Sequence, residues 1–384
     1  MQILQGSPQW LEAKQSTIGA SEIFSLIHHY CAKELQDLGF DLVKERPFRT
    51  VQEMFLKVKF GAKLSAIDPV HSQFGNGLEP YVAYRLGQEL PQVNIERSKE
   101  FITNPEFHPL AACSPDGYVE LQCLDDGSAF VEDFDKTCRI FESWNKGALE
   151  LKTANFFANF DQGGSRLQYI LQLQYQLAVM DLKWGCLAVL LPKEKEFDDP
   201  FFKGQILEKV RRHYDVEKEM AKMGYNDASD SFVFRSEIDQ FYDLKHYIYP
   251  VIPAFQALIK KALNCFQRDL DAYPEDQTAF PRNSEDLTGL QREKQLWGQV
   301  FSDHNSTLEI NPESKLNQLF NERYQLQIAS MFADQDKLRV ENEINQLVKA
   351  EGLDKYCELR GDKNRMMWIK NGQIRFYPLK GVEQ

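Results

Sequence analysis

The sequence predicts an α/β protein: a small mixed sheet flanked by helices over about residues 1–225, then a mostly helical extension that ends in a β-hairpin. Three observations predict it. The predicted core elements run in the order strand, strand, helix, strand, helix, which suits a small mixed sheet with helices packed on it. Apolar residues between 313 and 351 recur at helical spacing. Asn371-Gly372 lies between two short β-like runs, a strong hairpin signal.

The elements follow in order. Ser7 as N-cap and Pro8 at the first helical position start a helix that contains Trp10. A second helix begins at Ala20-Ser21-Glu22 and carries Ile23, Phe24, Leu26 and Ile27. Residues 74–90, "FGNGLEPYVAYRLGQEL", read as a turn followed by a helix bearing Val82, Tyr84 and Leu86. Residues 110–121 read as strand, Pro-Asp-Gly turn and strand. "GALELKT" at 147–153 is the next strand. Residues 166–182 form a helix, with Leu167, Ile170, Leu171, Tyr175 and Ala178 at three-to-four spacing. "GCLAVLLP" at 185–192 is a short apolar strand, and residues 200–223 form an amphipathic helix. Beyond the core, 226–271 is aromatic-rich and mostly helical in pattern, and 272–286 is a polar linker. Residues 287–384 hold a helical hairpin and the terminal β-hairpin.

Composition bounds the function. The 384 residues are 43% hydrophobic and 27% charged, an ordinary globular balance. No run approaches the roughly 20 apolar residues of a membrane span, so no membrane association is expected. The N-terminus lacks a basic region followed by an apolar core, so no secretory signal is expected. Seven scattered cysteines without a C-x-x-C pair fit reduced thiols in a cytosol-like compartment. They argue against a zinc finger or an iron–sulfur cluster. A net charge of −12 argues against broad nonspecific nucleic-acid binding, yet permits a locally basic channel inside an acidic exterior.

The strand "ALELKT" carries the chemistry. Successive strand side chains alternate between faces, so Leu149, Leu151 and Thr153 share one face and Glu150 and Lys152 the other. A surface ion pair is the bland explanation. Metal-dependent phosphodiester hydrolysis is the sharp one. Mg²⁺ takes a few carboxylates and keeps several waters, and a nearby Lys orients or deprotonates the attacking water and offsets transition-state charge. Asp116 in the preceding turn, Glu150, the carbonyl of Leu151 and Lys152 would supply that set from two adjacent strands. The order Asp…Glu-x-Lys is the motif of the PD-(D/E)xK nuclease fold. Glu-x-Lys and Pro-Asp-Gly are each common, so either alone is better explained by structure.

Five blocks alter that balance by occurring together and in order: "QGSPQWLEAKQSTIGASE" at 5–22, "FGNGLEP" at 74–80, "AACSPDG" at 111–117, "LELKT" at 149–153 and "YILQLQYQLAVM" at 169–180. Through them the chain resembles the lambda-exonuclease and YqaJ-type viral recombinase family over most of residues 5–192. The resemblance implies that Asp116, Glu150 and the Leu151 backbone bind Mg²⁺, with Mn²⁺ as an alternative, and that Lys152 is the catalytic lysine. It implies that Glu79 is an additional acid at the metal; the bland alternative is a solvated acid at a helix start. It implies that Tyr169 and Gln172, one helical turn apart, face the metal or the DNA, with Gln174 facing elsewhere. Ser21 and Ser114 match positions that contact a terminal 5′-phosphate, Ser21 from a helix N-terminus, although an ordinary N-cap would explain Ser21 equally well.

Three departures stand out. Lys14 replaces the frequent Arg and lacks its bidentate fork. Gly19 stands where Thr is frequent. Asp116 and Glu150 are 34 positions apart (150 − 116), leaving an acidic, aromatic insertion at 120–147.

The resemblance thus implies a Mg²⁺-dependent exonuclease that digests the 5′-ended strand of linear duplex DNA and leaves 3′ single-strand tails for recombination. It also implies a ring-like homo-oligomer, a single-strand annealing protein as partner, and a bacterial or phage-infected cytosol. An endonuclease, an RNA-directed nuclease and a non-catalytic DNA-end-binding module are the alternatives.

Overall fold

In the computed structural model the described residues are 3–4, 7–42, 46–64, 69–90, 93–98, 100–121, 146–154, 167–199, 203–206, 208, 238–273, 281, 287–300, 306–309, 315–316, 318–319, 322, 334–350, 357–360, 364–368 and 374–378. The main helices are α1 (Pro8–Gln15), α2 (Ile23–Tyr30), α3 (Ala32–Asp37), α4 (Val51–Phe60), α5 (Pro69–Glu89), α6 (Leu167–Met180), α7 (Pro253–Ala272), α8 (Leu287–Val300) and α9 (Asp334–Ala350). The strands are β1 (Ile3–Leu4), β2 (Val93–Arg97), β3 (Glu100–Thr103), β4 (Ala112–Cys113), β5 (Gly117–Leu121), β6 (Lys146–Thr153), β7 (Trp184–Pro192) and β8 (Tyr242–Pro250), then β9 (Ser306–Glu309), β10 (Cys357–Arg360), β11 (Asn364–Trp368) and β12 (Ile374–Pro378). The chain divides into two compact units, one of Met1–Trp10, Gly19–Phe24 and Ala66–Ile259, the other of Leu11–Ile18, Ser25–Ser65 and Lys260–Gln384.

The first unit holds a five-stranded mixed sheet in the order β2-β5-β6-β7-β8. Only β6 and β7 run parallel; the remaining neighbours are antiparallel. All nine residues of β7 are buried, which explains why "WGCLAVLLP" is apolar throughout rather than alternating. On one side of the sheet, Phe74, Leu78, Val82 and Leu86 of α5 share a core with Leu149, Leu151, Cys186, Ala188 and Leu190. On the other, Leu173 and Leu177 of α6 pack with Ala148, Leu187 and Val189. Each fully buried Leu of this set stabilises the fold by about 1.5–3 kcal/mol. The alternation along β6 therefore anchors its leucines under α5 and turns Glu150 and Lys152 toward α6. A separate three-stranded sheet has the order β1-β3-β4.

Several expected elements differ from what the fold contains. The Pro-Asp-Gly segment is not a hairpin turn. β4 pairs with β3 in the small sheet, whereas β5 pairs with β2 and β6 in the large one, so the segment carries the chain between sheets. The expected turn at 74–80 is helical, because α5 runs through Gly75, Gly77 and Pro80. Glu79 is accordingly a mid-helix residue, half-buried, and not a helix-start acid. Residues 242–250, expected to be mostly helical, form β8, an edge strand paired along its whole length with β7. Its alternation was readable: Leu244 and Ile248 join the core under α5, while Tyr247 and Tyr249 join the one under α6. The sheet thus continues beyond the expected boundary near 225, and the unit that carries it extends to Ile259. Residues 122–145 of the expected insertion, and most of the 200–223 helix and of the 272–286 linker, lie outside the described residues.

The second unit contains α4, α8 and α9, with α8 packed against both α4 and α9. Thr50 caps α4 by accepting the Glu53 N–H, while Glu53 accepts the Thr50 N–H at 2.8 Å. Gly61 ends that helix at φ 68, a left-handed conformation that glycine adopts without steric cost. A four-stranded sheet follows in the order β12-β11-β10-β9. Its antiparallel β11–β12 pair flanks Asn371-Gly372, in the place where the terminal hairpin was expected. Among the described residues no helix is long and apolar enough to cross a membrane.

Candidate functional site

The site forms where β5 and β6 lie side by side. Gly117 pairs with Leu149, so Asp116 stands one residue beyond the first paired position of β5. Asp116 Oδ2 accepts the Leu151 N–H at 2.8 Å, which fixes the carboxylate against β6. Gly117 is required for this approach: a Cβ there would lie 2.3 Å from the Glu96 carbonyl oxygen on β2. The Pro-Asp-Gly sequence is thereby explained by close strand packing, not by a turn.

Glu150 is only 1% exposed. Its Oε1 accepts from Gln172 Nε2 and its Oε2 from Gln176 Nε2, each at 2.5 Å. The two glutamines are four residues apart on α6 and so share one helix face. The Lys152 ammonium also pairs with Glu150. Tyr169, one turn before Gln172, places its ring 5.9 Å from Lys152 Nζ. Glu79 of α5 pairs with Arg97 at the end of β2, with Nη2–Oε2 at 2.9 Å.

The electrostatics show how short of positive charge this cluster is. Burial, with Asp116 nearby, pushes Glu79 up to about 7 against the pull of Arg97 and Lys152. Burial likewise pushes Glu150 up to about 7; Lys152 opposes the shift and Asp116 adds to it. Asp116 is raised by burial despite Lys152, the Leu151 N–H and Arg97. Burial alone would lower Lys152, but Glu150 and Asp116 outweigh it and hold the ammonium above the ordinary lysine range. Three acids thus face two bases. A hard cation suits such oxygen donors, and Mg²⁺ needs only one or two carboxylates plus waters. Among the described residues no group of three or more His, Cys, Asp and Glu side chains is placed to hold a metal ion.

The other expected residues are placed as follows. Ser114 is half-buried and accepts the Trp10 indole N–H at 3.3 Å. Ser21 is exposed within a single 3-10 turn, Ala20–Glu22, and is not its N-cap. That place belongs to Gly19, whose N–H donates to Glu22 Oε2 at 2.8 Å. Lys14 is exposed in the last turn of α1, in the residues assigned to the second unit. Gln174 does not join the cluster. Its side chain is fully buried, donates to the Pro250 carbonyl and accepts the Ile252 N–H, each at 2.8 Å, so it ties α6 to the segment joining β8 and α7.

Two residues of the cluster, Gln176 and Arg97, escaped sequence reasoning. Gln176 had a signal, the four-residue spacing from Gln172. Arg97 had none, since only the β2–β5 pairing brings it beside Asp116.

Fold and site together define a mixed α/β domain built around a carboxylate–lysine centre. Residues 9–183 match the YqaJ-like viral recombinase domain. No curated protein matches the chain. Among solved structures, the chain is similar to LHK-Exo in complex with dAMP, at 16% identity and a TM-score of 0.39, covering 70% of this chain and 95% of that one. It is similar to the alkaline exonuclease LHK-Exo from Laribacter hongkongensis at 15% identity and a TM-score of 0.40, with the same 70% and 95% coverage. A phage-related exonuclease from Haemophilus somnus 129PT gives 14% identity and a TM-score of 0.36, covering 65% and 90%.

Proposed function

We propose that this chain is a metal-dependent DNA exonuclease of the PD-(D/E)xK type, acting on the 5′-ended strand of linear duplex DNA to leave 3′ single-strand tails. The observation that carries the reading is the meeting of Asp116, Glu150 and Lys152 on two adjacent strands. The YqaJ-like viral recombinase match supports DNA as the substrate.

Asp116, Glu150 and Glu79 would hold Mg²⁺ or Mn²⁺, with the Leu151 carbonyl as a neutral donor. When bound, Mg²⁺ supplies Lewis-acid stabilisation of phosphoryl charge and acidifies water. Gln172 and Gln176 orient Glu150 and oppose its protonation, since an amide donor favours the carboxylate over the neutral acid. Lys152, held above the ordinary lysine range, stays protonated near neutral pH. It is the residue that orients water and offsets phosphoryl charge. Ser114 and Ser21 are the proposed contacts to the terminal 5′-phosphate. Duplex ends, a homo-oligomer and a single-strand annealing protein complete the proposal.

The test is digestion of three substrates in Mg²⁺: 5′-phosphorylated linear duplex, 5′-hydroxyl linear duplex and closed circular plasmid. The proposal expects the phosphorylated 5′ strand to shorten fastest and the plasmid to stay intact. Cleavage of the plasmid makes the protein an endonuclease. No hydrolysis of any substrate leaves a DNA-end-binding module.

A further inference from the structure

The proposed chemistry gives no role to Arg97, and its geometry does. We infer that Arg97 is a phosphate-binding residue of the site, whose guanidinium grips a non-bridging oxygen of the DNA backbone beside the Asp116–Lys152 centre. This rests on the nuclease reading above.

Three observations carry it. First, the position: Arg97 pairs with Gly117 across β2 and β5, next to Asp116, whose backbone carbonyl accepts the Ser98 N–H at 3.1 Å. The side chain also acts electrostatically on both Asp116 and Glu79. Second, the unused donors: of the five N–H groups a guanidinium presents, only one on Nη2 is engaged, by Glu79 at 2.9 Å, and Nε and Nη1 have no partner among the described residues. Third, access: the Arg97 side chain is 34% exposed, whereas Glu150 beside Lys152 is only 1% exposed. Arg97 is thus the more accessible cation of the cluster, with most of its fork directed to no described residue.

A residue serving only to neutralise Glu79 would need one charge and no fork. A planar fork with free donors at a site that receives a phosphodiester matches two phosphate oxygens at once. In a chain with net charge −12, a cation at this point also offsets repulsion between the acids and the DNA backbone.

The experiment measures duplex binding by the full chain in Ca²⁺ across a range of salt, Mn²⁺ affinity by calorimetry, and turnover in Mg²⁺, for wild type, R97Q and R97K. R97Q is expected to bind duplex about tenfold more weakly, and the slope of log K against log salt to fall by about one, with Mn²⁺ affinity changed by less than about threefold. R97K keeps the charge and the ion pair with Glu79, so it guards against loss of fold. Its salt slope should match wild type while turnover falls about tenfold or more for want of the fork. R97Q with wild-type duplex affinity and slope, or R97K with wild-type turnover, overturns the inference, because Arg97 then serves Glu79 alone. Wild-type protein that fails to hydrolyse linear duplex defeats the nuclease reading instead, which the wild-type arm shows separately.

Discussion

Gln176 donates its side-chain amide to Glu150 Oε2, while Gln172, one helical turn earlier, holds the other carboxylate oxygen. Both acceptor atoms of a fully buried acid are thus positioned by one face of α6. Each oxygen keeps a further lone pair for a cation or for Lys152.

Gln176→Met keeps the side chain's length and removes its donor. Groups that orient a metal ligand are worth about 10–100-fold in metal affinity. The variant is expected to bind Mn²⁺ at least tenfold more weakly by calorimetry, with part of its activity restored at high Mg²⁺. Affinity equal to wild type would mean that Gln172 alone positions Glu150.

Lys152→Ala and Asp116→Asn should each reduce Mg²⁺-dependent digestion of linear duplex by at least about 10²-fold, the usual cost of losing one charged stabiliser. Circular dichroism should show both folded. Near-normal digestion by either purified variant would sink the mechanism.

The pH dependence of stability has a definite sign. Glu79 and Glu150 have folded pKa values of about 7, above the ordinary 4.5 that they regain on unfolding. Between these values the folded state binds more protons than the unfolded state, so stability falls as pH rises. Chelator-treated protein should resist urea best near pH 5 and lose stability up to about pH 7, levelling off above. Glu79→Gln should flatten the slope. A rise in stability over this window would contradict the burial of the acids.

Gly117→Ala would put a Cβ 2.3 Å from the Glu96 carbonyl oxygen. Overpacking of this kind costs about 1–3 kcal/mol, sometimes more. Urea unfolding should show that loss, and metal affinity should fall with it, since Asp116 is the adjacent residue. Stability unchanged from wild type would show that β2 yields freely.

Much of the fold and centre was legible in the residues. Leu149, Leu151 and Thr153 alternating with Glu150 and Lys152 fixed which face of β6 meets the core, because strand periodicity leaves no other choice. The buried apolar run of β7 and the antiparallel pairing of β11 with β12 were equally local. What local pattern did not reveal was pairing elsewhere. β8 read as part of a helical stretch although Leu244 and Ile248 alternate with Tyr247 and Tyr249, because the pairing with β7 that makes it a strand lies outside the stretch itself. Pro-Asp-Gly read as a turn because its two flanking strands belong to different sheets.

The separation of Asp116 from Glu150 shows the same division. By itself the sequence determined that an acid, an acid and a lysine occur in nuclease order, with leucines to anchor one strand. Only the tertiary structure decided that β5 and β6 pair directly despite the 24 residues between Leu121 and Lys146. The antiparallel ladder joins the two strands irrespective of the loop between them, and loop-closure entropy grows only slowly with length. The same pairing brought Arg97 beside Asp116, and helix packing aimed Gln176 at Glu150. Those contacts depend on register between distant segments, which no single stretch of chain encodes.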